Sequence, residues 1–167
     1  EGELWFPDIE PQGESLARGI SDGPDEDMDH LRLAFMGALS CGRRSVQIVT
    51  PYFLPETPLM DALNVCAMRG VEVDVVLPSK NNLFFVHWAM MASMRPLLNR
   101  GVRIWFTPPP FDHSKLMVVD DVWCCFGSTN WDPRSLRLNF EFNVECYDRQ
   151  FASKLGNLVR EKLKDAQ

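Results

Sequence analysis

Phe111-Asp112-His113-Ser114-Lys115-Leu116-Met117-Val118-Val119-Asp120-Asp121-Val122-Trp123-Cys124-Cys125-Phe126-Gly127-Ser128-Thr129-Asn130 is the stretch whose reading decides the fold. His113 and Lys115 are two positions apart, so on an extended backbone both side chains point to one face. The apolar run from Leu116 to Val119 reads as a buried strand. Asp120 and Asp121 read as a turn, and Trp123 to Phe126 as the returning strand, which delivers Gly127, Ser128 and Asn130 beside the end where His113 started. One imidazole, one ammonium and two hydrogen-bonding side chains then surround one anion-sized space. A histidine attacks phosphorus or passes a proton, a lysine neutralises a phosphate oxygen, and hydroxyl and amide groups bond the remaining oxygens. The set suits metal-free chemistry on a phosphodiester, and neither a metal nor a cofactor is expected.

Outward from the hairpin, helices and strands alternate. Residues 16–20 read as an edge strand, and residues 4–6 as a short one. Asp25 is expected to cap a helix with Met28, Leu31, Phe35, Ala38 and Leu39 inward, ending by Gly42. Residues 45–50, 71–77, 102–106 and 142–147 read as strands. Thr57-Pro58 supplies an N-cap and a proline at the first helical position, ahead of Leu59, Leu63, Cys66 and Ala67. Residues 84–99 and 149–164 read as further helices, the second with Phe151, Leu155, Leu158 and Leu163 inward. Pro108, Pro109 and Pro110 give a rigid approach to the motif. The order of elements implies an α/β/α sandwich with a mixed central sheet. Residues 1–15 are expected to be an acidic linker and 16–167 one folded domain.

Composition sets outer limits. The chain has 167 residues, 46% hydrophobic and 24% charged, enough for one domain with a proper core. No run of eighteen apolar residues and no signal peptide is visible. The net charge of −6 is uneven. Residues 1–30 hold ten acids and one base, net −9, and residues 31–167 hold thirteen acids and sixteen bases, net +3. The mildly basic body suits an anionic substrate, and the field is too weak to argue for nucleic acid. Five cysteines, an odd number with no C-x-x-C pair, read as buried thiols rather than a disulfide framework or zinc site.

His113, Lys115, Asp120, Gly127, Ser128 and Asn130 together resemble the HKD motif of the phospholipase D superfamily. Two flanking segments resemble the second half of bacterial cardiolipin synthases: Thr50-Pro51-Tyr52-Phe53-Leu54-Pro55 before the motif, and Arg134-Ser135-Leu136-Arg137-Leu138-Asn139-Phe140-Glu141 after it. Asn81 and Asn82 stand where that pattern carries an aspartate-containing loop. The chain opens at Glu1 without a methionine, and the resemblance implies a C-terminal half whose partner is a second HKD half, from the same protein or from a homodimer mate.

The resemblance implies a phosphohistidine mechanism in which two histidines exchange acid and base roles. His113 is then the general acid and base, with Lys115, Ser128 and Asn130 on the phosphate. Asp120 belongs to the motif's catalytic set by name, but seven residues from His113 it should point away from the phosphate and act structurally. Glu141 is the better candidate to hold a histidine, in this half or the opposite one. Tyr52 and Trp88 are candidates for the substrate pocket, and the apolar stretch Phe84 to Met91 packs the core or forms a lipid-facing rim. Arg134 and Arg137 meet phosphate, or pair with Asp132 or Glu145. His30 and His87 read as structural.

The expected activity is metal-free phosphatidyl transfer from an anionic glycerophospholipid to phosphatidylglycerol, giving cardiolipin. The expected location is the bacterial cell membrane, with this domain on the cytoplasmic side at a membrane surface. Two rivals stand beside it: a phosphodiesterase or nuclease acting as a homodimer, and an isolated half that binds phosphate without turnover. A nuclease calls for a basic groove with interleaved aromatics, which this acidic chain lacks, so nucleic acid is not an expected partner.

Overall fold

A computed structural model describes residues 8–24, 29–80 and 84–167, with the backbone alone for 84–89 and 92. Among the described residues seven strands form one mixed sheet in the order β1-β7-β6-β5-β2-β3-β4. They are β1 (Ala17–Asp22), β2 (Ser45–Val49), β3 (Glu72–Pro78), β4 (Arg103–Thr107), β5 (Leu116–Val119), β6 (Trp123–Gly127) and β7 (Glu141–Cys146). The helices are α1 (His30–Cys41), α2 (Thr57–Met68), α3 (Phe84–Leu98), α4 (Pro133–Arg137) and α5 (Arg149–Lys164). Strands β2, β3 and β4 run parallel, joined by helical crossovers, while β5, β6, β7 and β1 continue the sheet antiparallel.

The α/β/α sandwich is explained by which faces of β2 and β3 are apolar. Ile48, Val73 and Val75 join Leu31, Phe35, Leu39, Leu59, Leu63, Met94 and Leu97 in the large core beneath α1, α2 and α3. Val49 and Val76 point to the other face, where α5 covers them with Val159 and Leu163. A strand buried on both faces needs apolar residues at consecutive positions, which Val75, Val76 and Leu77 of β3 supply.

Local chemistry ends the elements. Gly70 and Gly101 take positive φ after α2 and α3, a conformation that costs glycine little. Asp148 caps α5 by accepting from the backbone N–H of Phe151 at 2.9 Å.

Several sequence expectations need correction. Helix α2 begins at Thr57 itself, with Glu56 at the N-cap position and no side-chain cap bond. Leu158 of α5 is 48% exposed, and Ala152, Gly156 and Val159 are the buried face. Ala152 and Val159 pack on the sheet, and a Cβ on Gly156 would stand 2.1 Å from Asp121 Oδ1, the end of a turn side chain that Arg160 bonds. Arg137 pairs with Glu56, while Glu145 pairs with Arg18. Helix α4 was not expected. The strand at 4–6, the cap at Asp25, Met28, Asn81 and Asn82 lie outside the described residues, as do the side chains of His87 and Trp88.

Candidate active site

The start of β5, the end of β6 and the start of β7 lie side by side at one end of the middle of the sheet, and at that corner of the hairpin the motif side chains collect. His113 stands exposed on the extended segment just before β5, and Lys115 is 9% exposed. Their spacing of two puts both on one side, with Lys115 Nζ 3.1 Å from His113 Nδ1 and donating to His113 O at 2.7 Å. An ammonium has no lone pair, so Nδ1 accepts, and the neutral ring carries its proton on Nε2. Among the described residues the ring makes no other hydrogen bond. The ring of Tyr52 stands edge-on at 6.4 Å between centroids, and Phe111 lies at 5.8 Å. Burial pushes the Lys115 ammonium below its ordinary value, opposed by the charges of Glu141, Asp112 and Asp132.

Gly127 closes the corner. Its N–H donates to Lys115 O at 3.3 Å. A Cβ there would stand 2.3 Å from Phe142 O and 2.6 Å from Asn143 Cα, backbone atoms that cannot move aside, so only glycine fits. Beyond it, the Ser128 hydroxyl donates to Glu141 Oε2 in a short contact and accepts from the Phe142 N–H at 3.0 Å. Glu141 Oε1 accepts from Asn139 Nδ2 at 3.1 Å. Both Glu141 oxygens therefore bond to groups of this chain, and neither to His113.

Asn130 donates from Nδ2 to Ser135 Oγ at 3.2 Å, and its Oδ1 is buried with no partner. A hydroxyl both donates and accepts, so the Ser135 contact can be made by either end of the amide. Turned over, the amide would present N–H groups where Oδ1 now lies. Ser135 is held by α4, whose N-cap Asp132 accepts from the N–H of Arg134 and Ser135 at 2.9 and 3.0 Å. Burial pushes the Asp132 carboxyl above its ordinary value, partly opposed by those two donors.

The segments on either side of the motif are joined to each other. Trp131 N–H donates to Tyr52 O at 3.2 Å, and Leu54 N–H donates to Trp131 O at 2.7 Å. Trp131 is 2% exposed and stacks on Phe35 at 4.9 Å. These backbone bonds hold Tyr52 beside His113.

Asp120 sits at the far end of the hairpin. Its carboxylate accepts from the backbone N–H of Arg43, Arg44 and Ser45 at 2.9, 2.7 and 2.9 Å. Asp120 and Asp121 both have positive φ, the signature of a hairpin turn of type I′. Phe111 and Asp112 touch the site without a role assigned from sequence, and so do Ser135 and Asn139, which stood there only as part of the resemblance. The D-x-S spacing of Asp112 and Ser114, a common turn signal, was the available clue. Among the described residues no group of three or more His, Cys, Asp or Glu is placed to hold a metal ion.

A mixed sheet between helices with a histidine–lysine pair at a strand end is the fold of the phospholipase D class. Nuc of Salmonella typhimurium, a phospholipase D family member, superposes with a TM-score of 0.77 at 20% identity, over 92% of this chain and 97% of that one. The family described as cardiolipin synthase, PLD-like domain, matches residues 36–162, and the chain belongs to that family. It is 36% identical to the major cardiolipin synthase of Bacillus subtilis (strain 168) over 158 residues, 95% of this chain and 33% of that protein. It is also 36% identical to a cardiolipin synthase of Staphylococcus aureus (strain Mu50) over 153 residues, 92% of this chain and 31% of that protein. The chain thus spans about a third of the length of the curated relatives it matches.

Proposed function

We propose that this chain is the C-terminal catalytic half of a cardiolipin synthase-type phosphatidyltransferase, working with a second HKD half at a membrane surface. The observation that carries the reading is the His113–Lys115 pair: an exposed imidazole whose Nδ1 faces a buried ammonium, in a chain of the cardiolipin synthase family. To act as the acid the ring must carry a proton on both nitrogens, so Nδ1 gives up its contact with Lys115 as the ammonium turns to the phosphate, and the ring returns to neutral when it donates. In the first step a histidine of the other half attacks phosphorus, and His113 protonates the departing glycerol oxygen. In the second, His113 takes the proton of a phosphatidylglycerol hydroxyl as that oxygen attacks the phosphohistidine. Lys115 and the Asn130 amide stabilise the charge on the non-bridging oxygens in both. Ser128 holds Glu141 in place on this side, and Glu141 serves an imidazole across the interface.

Water competes with the lipid alcohol for the phosphohistidine, so transfer requires a shielded entrance. Tyr52, exposed Phe111, Leu138 and Phe140, and the helix carrying Trp88 support a membrane-facing rim at the corner. The bacterial cell membrane is the proposed location, with the domain on the cytoplasmic side. No helix of the described residues is long and apolar enough to cross it. No resident cofactor is invoked.

A second reading, a phosphodiesterase acting as a homodimer, draws support from the Nuc likeness, because a chain of this size accounts for 97% of that protein. The test is product analysis with the full-length enzyme and labelled phosphatidylglycerol in vesicles, with and without a chelator. Cardiolipin and glycerol with little phosphatidic acid, unaffected by chelation, are expected. A polar substitution at Tyr52 or Trp88 should shift products towards phosphatidic acid. Phosphatidic acid as the main wild-type product would hand the assignment to the hydrolase reading.

A further inference from the structure

We propose that Asp112 and Lys162 are positioning residues for His113: the Asp112 carboxylate clamps the backbone on both sides of the histidine, and Lys162 on α5 anchors that carboxylate. The proposal rests on the reading of His113 as the acid and base of the reaction. Asp112 Oδ1 accepts the backbone N–H of Ser114 at 2.9 Å, an Asx-turn that spans His113. Asp112 Oδ2 accepts from Lys162 Nζ at 2.7 Å, a side chain fifty residues further on. The contact ties the motif segment to a helix packed on the sheet.

Among the described residues, the clamp and the bond from Lys115 Nζ to His113 O are what hold the backbone around the histidine. Residues 111–115 belong to no strand or helix, and His113 is exposed, so neither ladder bonds nor core packing sets the direction of its ring. Phe111 and Tyr52 touch the ring only through aromatic contacts. Lys115 holds it on one side, but Lys115 is also the group expected to turn to a phosphate, and it then gives up part of that hold. The Asp112 turn persists through that exchange because it uses neither the imidazole nor the ammonium. Burial pushes the Asp112 carboxyl up, but Lys162 and Ser114 outweigh it and hold the group below its ordinary value, so it stays ionised near neutral pH. Its charge also favours the ammonium form of Lys115 against burial. A partly exposed ion pair adds little to global stability. The consequence of this one is therefore local, in where Nε2 sits relative to the departing oxygen.

The experiment uses the full-length enzyme with phosphatidylglycerol vesicles and compares Asp112→Ala, Asp112→Asn and Lys162→Met. Asparagine still accepts from Ser114 but loses the ion pair, so it separates clamp from charge. A misplacement of about 1 Å costs on the order of 100-fold in rate, so Asp112→Ala should lower kcat by about 10- to 100-fold with KM within about twofold. Asp112→Asn should recover most of that loss, and Lys162→Met should give a smaller fall in kcat than Asp112→Ala; an unchanged kcat in Lys162→Met would remove Lys162 from the clamp. Hydrogen exchange across residues 111–118 should quicken in Asp112→Ala and stay slow in Asp112→Asn. A kcat for Asp112→Ala within about twofold of wild type would overturn the proposal, as would an asparagine variant as impaired as alanine. If the wild-type enzyme makes no cardiolipin, the transferase reading fails by itself. The exchange comparison then decides on the clamp, and unchanged exchange in Asp112→Ala overturns it.

Discussion

The two ends of the β5–β6 hairpin belong to one motif but differ in how their polar groups are bonded. At the turn, Asp120 has three backbone donors, and Arg44 also donates to its carbonyl oxygen at 2.6 Å. At the open end, the His113 ring uses one nitrogen, and the Asn130 amide leaves one atom buried and unpaired. An acceptor already saturated by rigid backbone has no capacity for a substrate. A buried polar atom without a partner costs about 1–3 kcal/mol, which folding tolerates where a ligand supplies the bond. A residue's place in a motif therefore does not decide its role: the turn end holds the hairpin to β2, and the open end carries the groups left for chemistry.

Substitutions at the two ends should therefore separate activity from stability. The largest effect is expected at His113. His113→Ala in the full-length enzyme should reduce turnover by about 1,000-fold or more, the scale of a lost acid–base group, with an unchanged melting midpoint. Melting that drops in step with activity would place the histidine in the fold rather than the reaction.

Glu141→Gln comes next. It keeps the shape and one acceptor but loses the charge beside Lys115. A loss of about 1–3 kcal/mol of transition-state stabilisation is expected, read as a fall in kcat with lipid binding preserved. An unaltered kcat would confine Glu141 to holding Ser128.

At the turn, Asp120→Ala should cost about 2–3 kcal/mol of stability, from lost backbone acceptors and from alanine at positive φ. Denaturant melts of wild type and variant across pH add a sign to this. Burial pushes the Asp120 carboxyl up, but three backbone donors outweigh it and hold the group below its ordinary value. A depressed folded value gives stability that is present above the unfolded value and lost as pH falls through the folded one. The gap between wild type and Asp120→Ala should therefore shrink on acidification below the ordinary carboxylate range. A gap that widens there would show that the carboxylate is not what the backbone donors hold.

The smallest effect concerns the thiols. Cys41 is exposed, while Cys66, Cys124, Cys125 and Cys146 are buried. Burial pushes the Cys124 thiol up to about 12 and the Cys125 thiol up to about 11, so few thiolates form there. Thiol titration of the native protein near neutral pH should give one fast-reacting group, with the others released by denaturant. Several fast groups before unfolding would contradict the closed cores on the two faces of the sheet.

Much of this was legible in the sequence where the signal is local. Lys115 and Gly127 lie close because a short apolar strand, a two-aspartate turn and a second strand leave few alternatives. Helix α5 was readable over its whole span because sixteen residues give the apolar period room to repeat. Its buried face was not, since Ala152 and Val159 pack on the sheet while the bulkier Leu158 is exposed. Helix α4 has five residues, too few for any period, though Asp132-Pro133 is a start signal. Arg137 met Glu56, 81 positions away, because the fold rather than neighbouring sequence supplies the partner. Asp112 was missed for the same reason, since half of its bonding comes from Lys162.

The contrast between the two ends is tested most directly by the turnover of Asp120→Ala per folded molecule, measured in the full-length enzyme at a temperature where the variant remains native. A rate within about twofold of wild type is expected, since the Asp120 carboxylate accepts from backbone N–H groups at the end away from His113. A loss approaching that of His113→Ala, in protein that is still folded, would contradict it and return Asp120 to the chemistry.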